Sequence, residues 1–250
     1  QQELLASYDQ NTRNAIRKAQ KLDVEVVEVE PNRFNEFKEL MEHTAQRRGF
    51  VDRKDNYYSN LMKFFEEENK IKAYFAIINP KNTIEKLQKQ RLLEEKNLID
   101  IQNHLEEIPN SKKYIKKKKV VLDMIESIDK RIEETFELSK DGDIVILAGA
   151  IFILHGNEVT YLFSGAYDKY FGYNAPYLIQ LEAQQWAVDN GCTSYNFYGT
   201  QGKYADAQDL GVYNFKKGFG GYVLEQAGNF ELEIIPLINK IYQIIHKIRS

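Results

Sequence analysis

Cysteine is almost absent: Cys192 is the only one in 250 residues. A single thiol excludes an internal disulfide and a cysteine-built zinc cage, and four scattered histidines (His43, His104, His155, His246) do not assemble a substitute. The longest apolar run, Ile144 to Leu154, is far short of the roughly 20 residues that span a bilayer. No basic, apolar leader precedes a cleavage site, so the chain reads as soluble and cytoplasmic. Net charge is only −3, so any attraction to nucleic acid has to come from a local patch. Glycine (14) and proline (5) are sparse while tyrosine (16) and phenylalanine (14) are plentiful, which excludes collagen-like and low-complexity chains. No Gly-x-Gly-x-x-Gly follows a strand, so nothing supports a dinucleotide fold. No Ser-His-Asp order or activated cysteine is evident, so an enzyme of this sequence positions two substrates and forms no covalent intermediate.

What is present falls into three zones. Residues 1–79 and 141–229 mix helix and strand. Asp9 to Leu22 has the spacing of an amphipathic helix, and Asp23 to Glu30 alternates like a half-exposed strand. Pro31 opens a helix in which Phe34, Phe37, Leu40, Met41 and Thr44 keep helical spacing until Gly49. A helix over Tyr57–Glu68 and a strand over Ile71–Ile78 follow. Asp143–Leu154 reads as a buried strand kinked at Gly149, turning through His155-Gly156-Asn157 into Glu158–Ser164. A helix over Ala175–Asn190, a strand over Ser194–Tyr198, a short helix near Asp206–Tyr213 and a strand near Tyr222–Glu225 complete the pattern. The order predicts a mixed α/β (α+β) sandwich, not a doubly wound sheet.

The middle zone, residues 80–140, differs. Ile84, Leu87, Arg91, Glu94, Leu98, Ile101, Leu105 and Ile108 alternate three and four apart, the seam of a coiled coil. Pro109-Asn110-Ser111 breaks it, and Val121, Ile125, Ile128 and Ile132 resume the spacing. The expectation is an antiparallel coiled-coil hairpin inserted between two strands, about 40 Å long at 1.5 Å per residue, with Arg91 and Glu94 weakening its seam. Its tip carries Lys112, Lys113, Lys116, Lys117, Lys118 and Lys119 around Tyr114. Clustered cations suit a phosphate backbone, and they equally suit a plain solvated helix face.

Three further clusters can carry chemistry. Arg47, Arg48 and Arg53 offer planar donor forks to an oxyanion or phosphate, with Tyr57 one helical turn beyond Arg53; alternatively the arginines cap a helix C-terminus. Lys169-Tyr170-Phe171-Gly172-Tyr173-Asn174 stands where coenzyme-A-dependent acetyltransferases hold pyrophosphate. Asn174 and the bulk of Tyr173 replace the small residues which that grip needs. Gly211 to Gly221 contains Phe215, Lys216 and Lys217 among four glycines, reading as a constrained exposed turn whose lysine can steady an oxyanion.

In order along the chain, Asn11 to Ala19, Thr44 to Arg53, Tyr161 to Gly165, Ala175 to Leu178, Tyr195 to Gly199 and Gly211 to Gly221 resemble the Fem family of aminoacyl-tRNA-dependent transferases. The resemblance implies acetyltransferase-like (GNAT) domains in tandem, of which residues 1–79 with 141–229 form the second. It also implies a coiled-coil arm at 80–140 and a tail at 230–250, helical over Phe230–Ile248, that packs on a first domain with no counterpart before Gln1. The implied reaction moves an amino acid from aminoacyl-tRNA to a stem-peptide amine of a peptidoglycan precursor, with no cofactor and no metal. Arg53 and Tyr57 take the family's precursor-binding positions, with Arg48 in the same loop. Phe215 and Lys216 take the transfer centre, and either Tyr161 or Tyr167 is a further substrate contact. The implied partners are aminoacyl-tRNA and a sugar-nucleotide- or lipid-linked precursor, the latter bringing peripheral membrane association. Two weaker readings are a coenzyme-A-dependent N-acetyltransferase and a non-catalytic module that binds tRNA or a partner through the coiled coil.

Overall fold

A computed structural model describes residues 1–66, 69–199 and 207–225, with isolated positions beyond. A short helix, α1 (Gln2–Ser7), precedes α2 (Gln10–Lys21), whose N-terminus is capped by the Asp9 side chain accepting from the Thr12 N–H at 2.7 Å. Then come β1 (Glu25–Glu28), a 3₁₀ turn at Pro31–Arg33, α3 (Phe34–Arg48), α4 (Tyr57–Glu66) and β2 (Ile71–Ile78). Two long helices follow, α5 (Pro80–Glu107) and α6 (Lys112–Leu138). The chain continues through β3 (Val145–His155), β4 (Glu158–Ala166), a 3₁₀ turn at Asp168–Tyr173, α7 (Ala175–Asp189), β5 (Ser194–Asn196) and α8 (Ala207–Gly218).

The five strands form one sheet in the order β1-β2-β3-β4-β5, antiparallel throughout except for the parallel pair β4–β5. Strand side chains alternate between faces, and β2 shows what that alternation covers. Tyr74, Ala76 and Ile78 join a core with Ile16 and Ala19 of α2 and Leu178 and Ile179 of α7. Ala73, Phe75 and Ile77 join a second core with Phe34, Phe37, Leu40 and Met41 of α3 and Tyr58 of α4. The sheet is therefore sandwiched, α2 and α7 on one face, α3 and α4 on the other.

Helix α3 lies very close to the sheet because two glycines sit beneath it. Gly149 and Gly165 are paired across β3–β4. A Cβ on Gly149 would stand 3.0 Å from Leu40, and one on Gly165 would stand 3.0 Å from both the Leu40 side chain and its backbone oxygen. Gly149 is thus no kink, contrary to the sequence expectation; it pairs in register, and what it provides is room for Leu40.

Three other expectations are corrected. The strand expected over Asp23–Glu30 shortens to β1 because the Val24 N–H still bonds to the α2 carbonyl of Ala19. No strand forms over Tyr222–Glu225, where Tyr222 and Leu224 are exposed. The glycine-rich turn is helical as far as Gly218, with Phe215 and Phe219, four apart, both packed into the core. The helix expected over Phe230–Ile248 falls almost wholly outside the described residues.

Helices α5 and α6 pack antiparallel, as the spacing predicts, with Leu87, Ile101 and Ile128 buried between them. Arg91 does not weaken this seam as expected: its guanidinium bonds to Asp129 of α6 at 2.6 Å and to Glu95 at 2.5 Å. At the base, Asp23 lies 3.2 Å from Lys86 of α5 and 3.7 Å from Arg131 of α6, and Arg131 also donates to the Lys21 carbonyl.

Replacing Gly165 by alanine is expected to cost about 1–3 kcal/mol by overpacking Leu40. Gly172→Ala, with open space around its Cβ, is expected to stay within about 0.5 kcal/mol of wild type. Urea unfolding of the two variants checks this; equal stabilities would mean that α3 can lift without cost.

Candidate functional site

The site begins at an extra residue in β4. Tyr161 pairs with Phe152 and Phe163 with Ile151, so Leu162 is a bulge with no partner on β3. The bulge sends Tyr161 to the face of α7, stacked on Phe152 at 5.3 Å, and Phe163 to the opposite face, against Tyr57 and Tyr58 at 5.8 and 5.4 Å.

Beyond the bulge, β4 and β5 part. Pairing is confined to Glu158–Thr160 against Ser194–Asn196. It is pinned by the Glu158 carboxylate, which accepts from Ser194 Oγ at 2.8 Å and Asn196 Nδ2 at 3.0 Å. Those bonds hold the Glu158 carboxyl below the ordinary range, the one from Asn196 most strongly. Asn196 then turns the chain: its side-chain oxygen accepts the Tyr198 N–H at 2.8 Å, and Tyr198 takes a left-handed φ of 61°. The strand expected to reach Tyr198 therefore stops at Asn196, and Gly199 is carried towards α8.

Helix α8 is seated by a contact between two distant sequence motifs. The Asp9 N–H donates to the Gly218 carbonyl at 2.9 Å, and a Cβ on Gly218 would come within 2.2 Å of Thr12 Oγ1, so only glycine lets α8 meet the start of α2. Phe219 fixes the same junction edge-on to Tyr8 at 4.9 Å. Phe215 meets Tyr177 of α7 at 4.9 Å and Phe219 at 5.3 Å, an aromatic wall continued by Phe197 and Tyr195. Lys216 is half-buried beside this wall and donates from Nζ to the Gly199 carbonyl at 2.8 Å. Burial, and then the charge of Arg48, lower its pKa. Lys217 is exposed, its ammonium 5.8 Å from the Tyr213 ring.

Arg48 is the link between the arginine loop and this wall. Its charge acts on Lys216 and also on Tyr161, whose hydroxyl is raised by burial and partly restored by Ser164, Gln180 and Arg48. Tyr161 and the wall that carries Phe215 and Lys216 form one group, with Tyr161 edge-on to Phe197 at 6.4 Å and Phe197 packed on Phe219 at 5.6 Å. Arg53 and Tyr57 form a second on the opposite face of β4, the guanidinium 5.4 Å from the Tyr57 ring and Tyr57 edge-on to Phe163. Tyr167 belongs to neither: it packs on His43 at 4.9 Å, where His43 meets Asp168 at 3.2 Å. Arg47 and Arg48 occupy the last turn of α3 before the left-handed Gly49, where positive charge also complements the helix dipole. The helix-capping reading of the arginines is therefore met by Arg47 and Arg48.

Asp52 is the residue the sequence reading missed. It sits in the arginine loop almost buried, accepting from Tyr58 at 2.5 Å and Lys38 at 2.7 Å, and so fixes the backbone that presents Arg53. Burial raises its pKa, but the bonds from Lys38 and Tyr58 outweigh that and hold it below the usual value. The available signal was a lone acid among three arginines. The Lys169–Asn174 turn is filled by its own side chains: Tyr170 is buried and donates to Asp141 at 2.7 Å, and Lys169 is tied to the same carboxylate at 3.0 Å. Burial pushes the Cys192 thiol up, away from a nucleophilic thiolate. Among the described residues no group of three or more His, Cys, Asp or Glu is placed to hold a metal, and no helix is long and apolar enough to cross a membrane.

The match to known proteins covers this whole arrangement. A family model described as the FemAB family matches residues 1–247. The chain belongs to the FemAB family. Its relatives include the protein named aminoacyltransferase FemA of Staphylococcus aureus (strain MRSA252), 27% identical over 99% of this chain and 59% of that protein. FemA of Staphylococcus epidermidis (strain RP62A) is 28% identical over 99% of this chain and 60% of the relative. A crystal structure of FemX shares the fold with a TM-score of 0.80 at 24% identity, over 98% of this chain and 61% of that one. This FemAB-family chain therefore spans about three fifths of the length of the curated relatives it matches.

The Asp52 bonds give a pH-dependent contribution to stability. The folded pKa is depressed, so the contribution is complete above the unfolded value of about 3.9 and is lost as pH falls through the folded value. Asp52→Asn is expected to cost about 1.5–3 kcal/mol at pH 7 and to flatten the loss of stability below about pH 4. Urea midpoints measured between neutral and acid pH test it; parallel wild-type and variant curves would refute the linkage.

Proposed function

We propose that this chain carries the transfer centre of a FemAB-family aminoacyltransferase, which moves an amino acid from aminoacyl-tRNA to a stem-peptide amine of a peptidoglycan precursor and so builds the interpeptide bridge. Residues 1–79 and 141–229 form a GNAT-like acyltransferase domain, 80–140 a coiled-coil arm, and 230–250 a tail that packs on a further domain. The protein works in the cytoplasm on a sugar-nucleotide- or lipid-linked precursor, with peripheral membrane contact in the second case, and uses no cofactor. The observation that carries the reading is the half-buried Lys216 ammonium, held by the Gly199 carbonyl beside an aromatic wall.

The chemistry follows from that placement. Attack of an amine on the aminoacyl ester puts negative charge on the former carbonyl oxygen. A cation fixed in a partly dry site favours that species over the neutral ester, without reorganisation. The attacking amine's proton goes to the departing tRNA hydroxyl, so no enzymic base is required. Phe215 positions Lys216 through its contacts with Tyr177 and Phe219. Tyr161 is the further substrate contact in preference to Tyr167, because it meets the aromatic wall at Phe197 whereas Tyr167 packs on His43. Arg53 and Tyr57, with Arg48, bind the anionic precursor. An acetyl-coenzyme A reading is less favoured, since the turn that would hold pyrophosphate is occupied by Tyr170 and Lys169.

In the complete protein, Lys216→Met is expected to lower kcat about 100- to 1,000-fold with little change in KM. Lys217→Met, altering a side chain that points to solvent, should turn over like wild type. Steady-state transfer assays decide this: equal losses, or a loss confined to KM, would remove Lys216 from the centre.

The lysines of the arm tip, Lys112, Lys113 and Lys116 to Lys119, contact the tRNA backbone. Among the described residues none has a salt bridge, and the first turn of α6 holds no acid. Affinity for tRNA should fall by orders of magnitude between about 50 and 200 mM salt, and Lys116–Lys119→Gln should flatten that slope. Filter binding across a salt series measures it; an unchanged slope would make the run a solvated face.

A further inference from the structure

We infer that the arm tip also carries a pocket for an unpaired nucleotide, which rests on the tRNA reading above and makes it specific. A groove of about 690 Å³ opens on one side of the α5–α6 pair near the tip. Its floor is aromatic and aliphatic: His104 and Tyr114 lie near-parallel with ring centroids 4.6 Å apart, flanked by Ile101 and Val121. Its α6 wall supplies Lys113, Lys116 and Lys117, and its α5 wall Asn97 and Asp100. The ammonium groups of Lys117 and Lys113 stand 5.4 and 6.0 Å from the Tyr114 ring.

Phosphate needs only the cations, so a plain phosphate patch does not account for the stacked rings. A nucleobase does: its flat face stacks on an aromatic platform while its own phosphate takes the neighbouring lysines. Long, flexible lysines that rest over Tyr114 can swing from ring to phosphate as a base arrives. Asp100, whose carboxylate has no bonded partner among the described residues, is placed to accept from a base amino group or a ribose hydroxyl. A paired helix offers phosphates, ribose hydroxyls and base edges but hides its base faces, so the stacking platform distinguishes unpaired from paired RNA, whereas the lysines outside it do not. Unpaired nucleotides occur in tRNA both in its loops and in its 3′ tail.

The test is fluorescence anisotropy with the whole chain, a labelled oligoadenylate hexamer and a labelled blunt RNA duplex at low salt. Tyr114→Leu is expected to weaken hexamer binding roughly tenfold or more, leaving duplex binding unchanged. Tyr114→Trp, which keeps a stacking face, should restore the hexamer and so separate stacking from a packing defect in α6. Lys118→Gln with Lys119→Gln, outside the groove lining, should weaken both RNAs in parallel. Intact tRNA and tRNA trimmed of its 3′ tail identify the source: an effect of Tyr114→Leu that survives trimming assigns a loop, and one that disappears assigns the tail. If Tyr114→Leu leaves the hexamer-to-duplex ratio unchanged while the lysine variant weakens both, the pocket is overturned and the tRNA-binding tip stands. If neither RNA binds but vesicles containing phosphatidylglycerol do, both fall, and the tip, with Ile108 and Ile115 exposed among its lysines, is a lipid-facing surface.

Discussion

The geometry of the site depends on one unpaired residue in β4. Without Leu162 as a bulge, strict alternation would put Tyr161 and Phe163 on the same face of the sheet. The Arg53–Tyr57 group packs on Phe163, and Tyr161 meets the aromatic wall at Phe197, so in-register pairing would push both sets of side chains onto one side. The bulge instead sets the two groups back to back across one strand. The pairing of β4 with β5 ends at Thr160, just before that bulge.

Much of the scaffold was legible in the sequence because it is set by local periodicity. The short, nearly continuous apolar run Ile71–Ile78 matches β2 to the residue, and the three-four spacing from Ile84 to Ile132 matches both arm helices and their turn. What was illegible comes from contacts distant in sequence. Glycines in Gly211–Gly221 suggest a turn when read alone; their reason becomes visible only when Gly218 meets Thr12, some two hundred positions earlier in the chain. Similarly, Glu158 to Ser164 alternates well enough that nothing marks Leu162 as supernumerary, since the mismatch exists only relative to β3. The six-residue α1 gave no signal because it has neither a side-chain cap nor a fully buried residue.

The candidate residues divide in the same way. Lys216 was identifiable, but its distinction from Lys217 is a matter of helical phase, and phase required knowing that the segment is a helix. Tyr161 and Tyr167 are equivalent in the sequence and separate only when the bulge and His43 assign them to different neighbourhoods. Asp52 was overlooked because a carboxylate within an arginine cluster looks like a neutralising surface charge. Its burial against Lys38 and Tyr58 is a tertiary fact.

Helix α2, with the residues just after it, touches both α8 and the base of the α5–α6 arm. Its first turn holds α8 through Asp9, Thr12 and Gly218, while its far end, through the Lys21 carbonyl and Asp23, holds the base of the arm. Twelve residues of regular helix make a stiff strut about 18 Å long between those contacts. The arm therefore cannot swing about its base without either breaking the Asp23 clasp or levering the platform under Lys216.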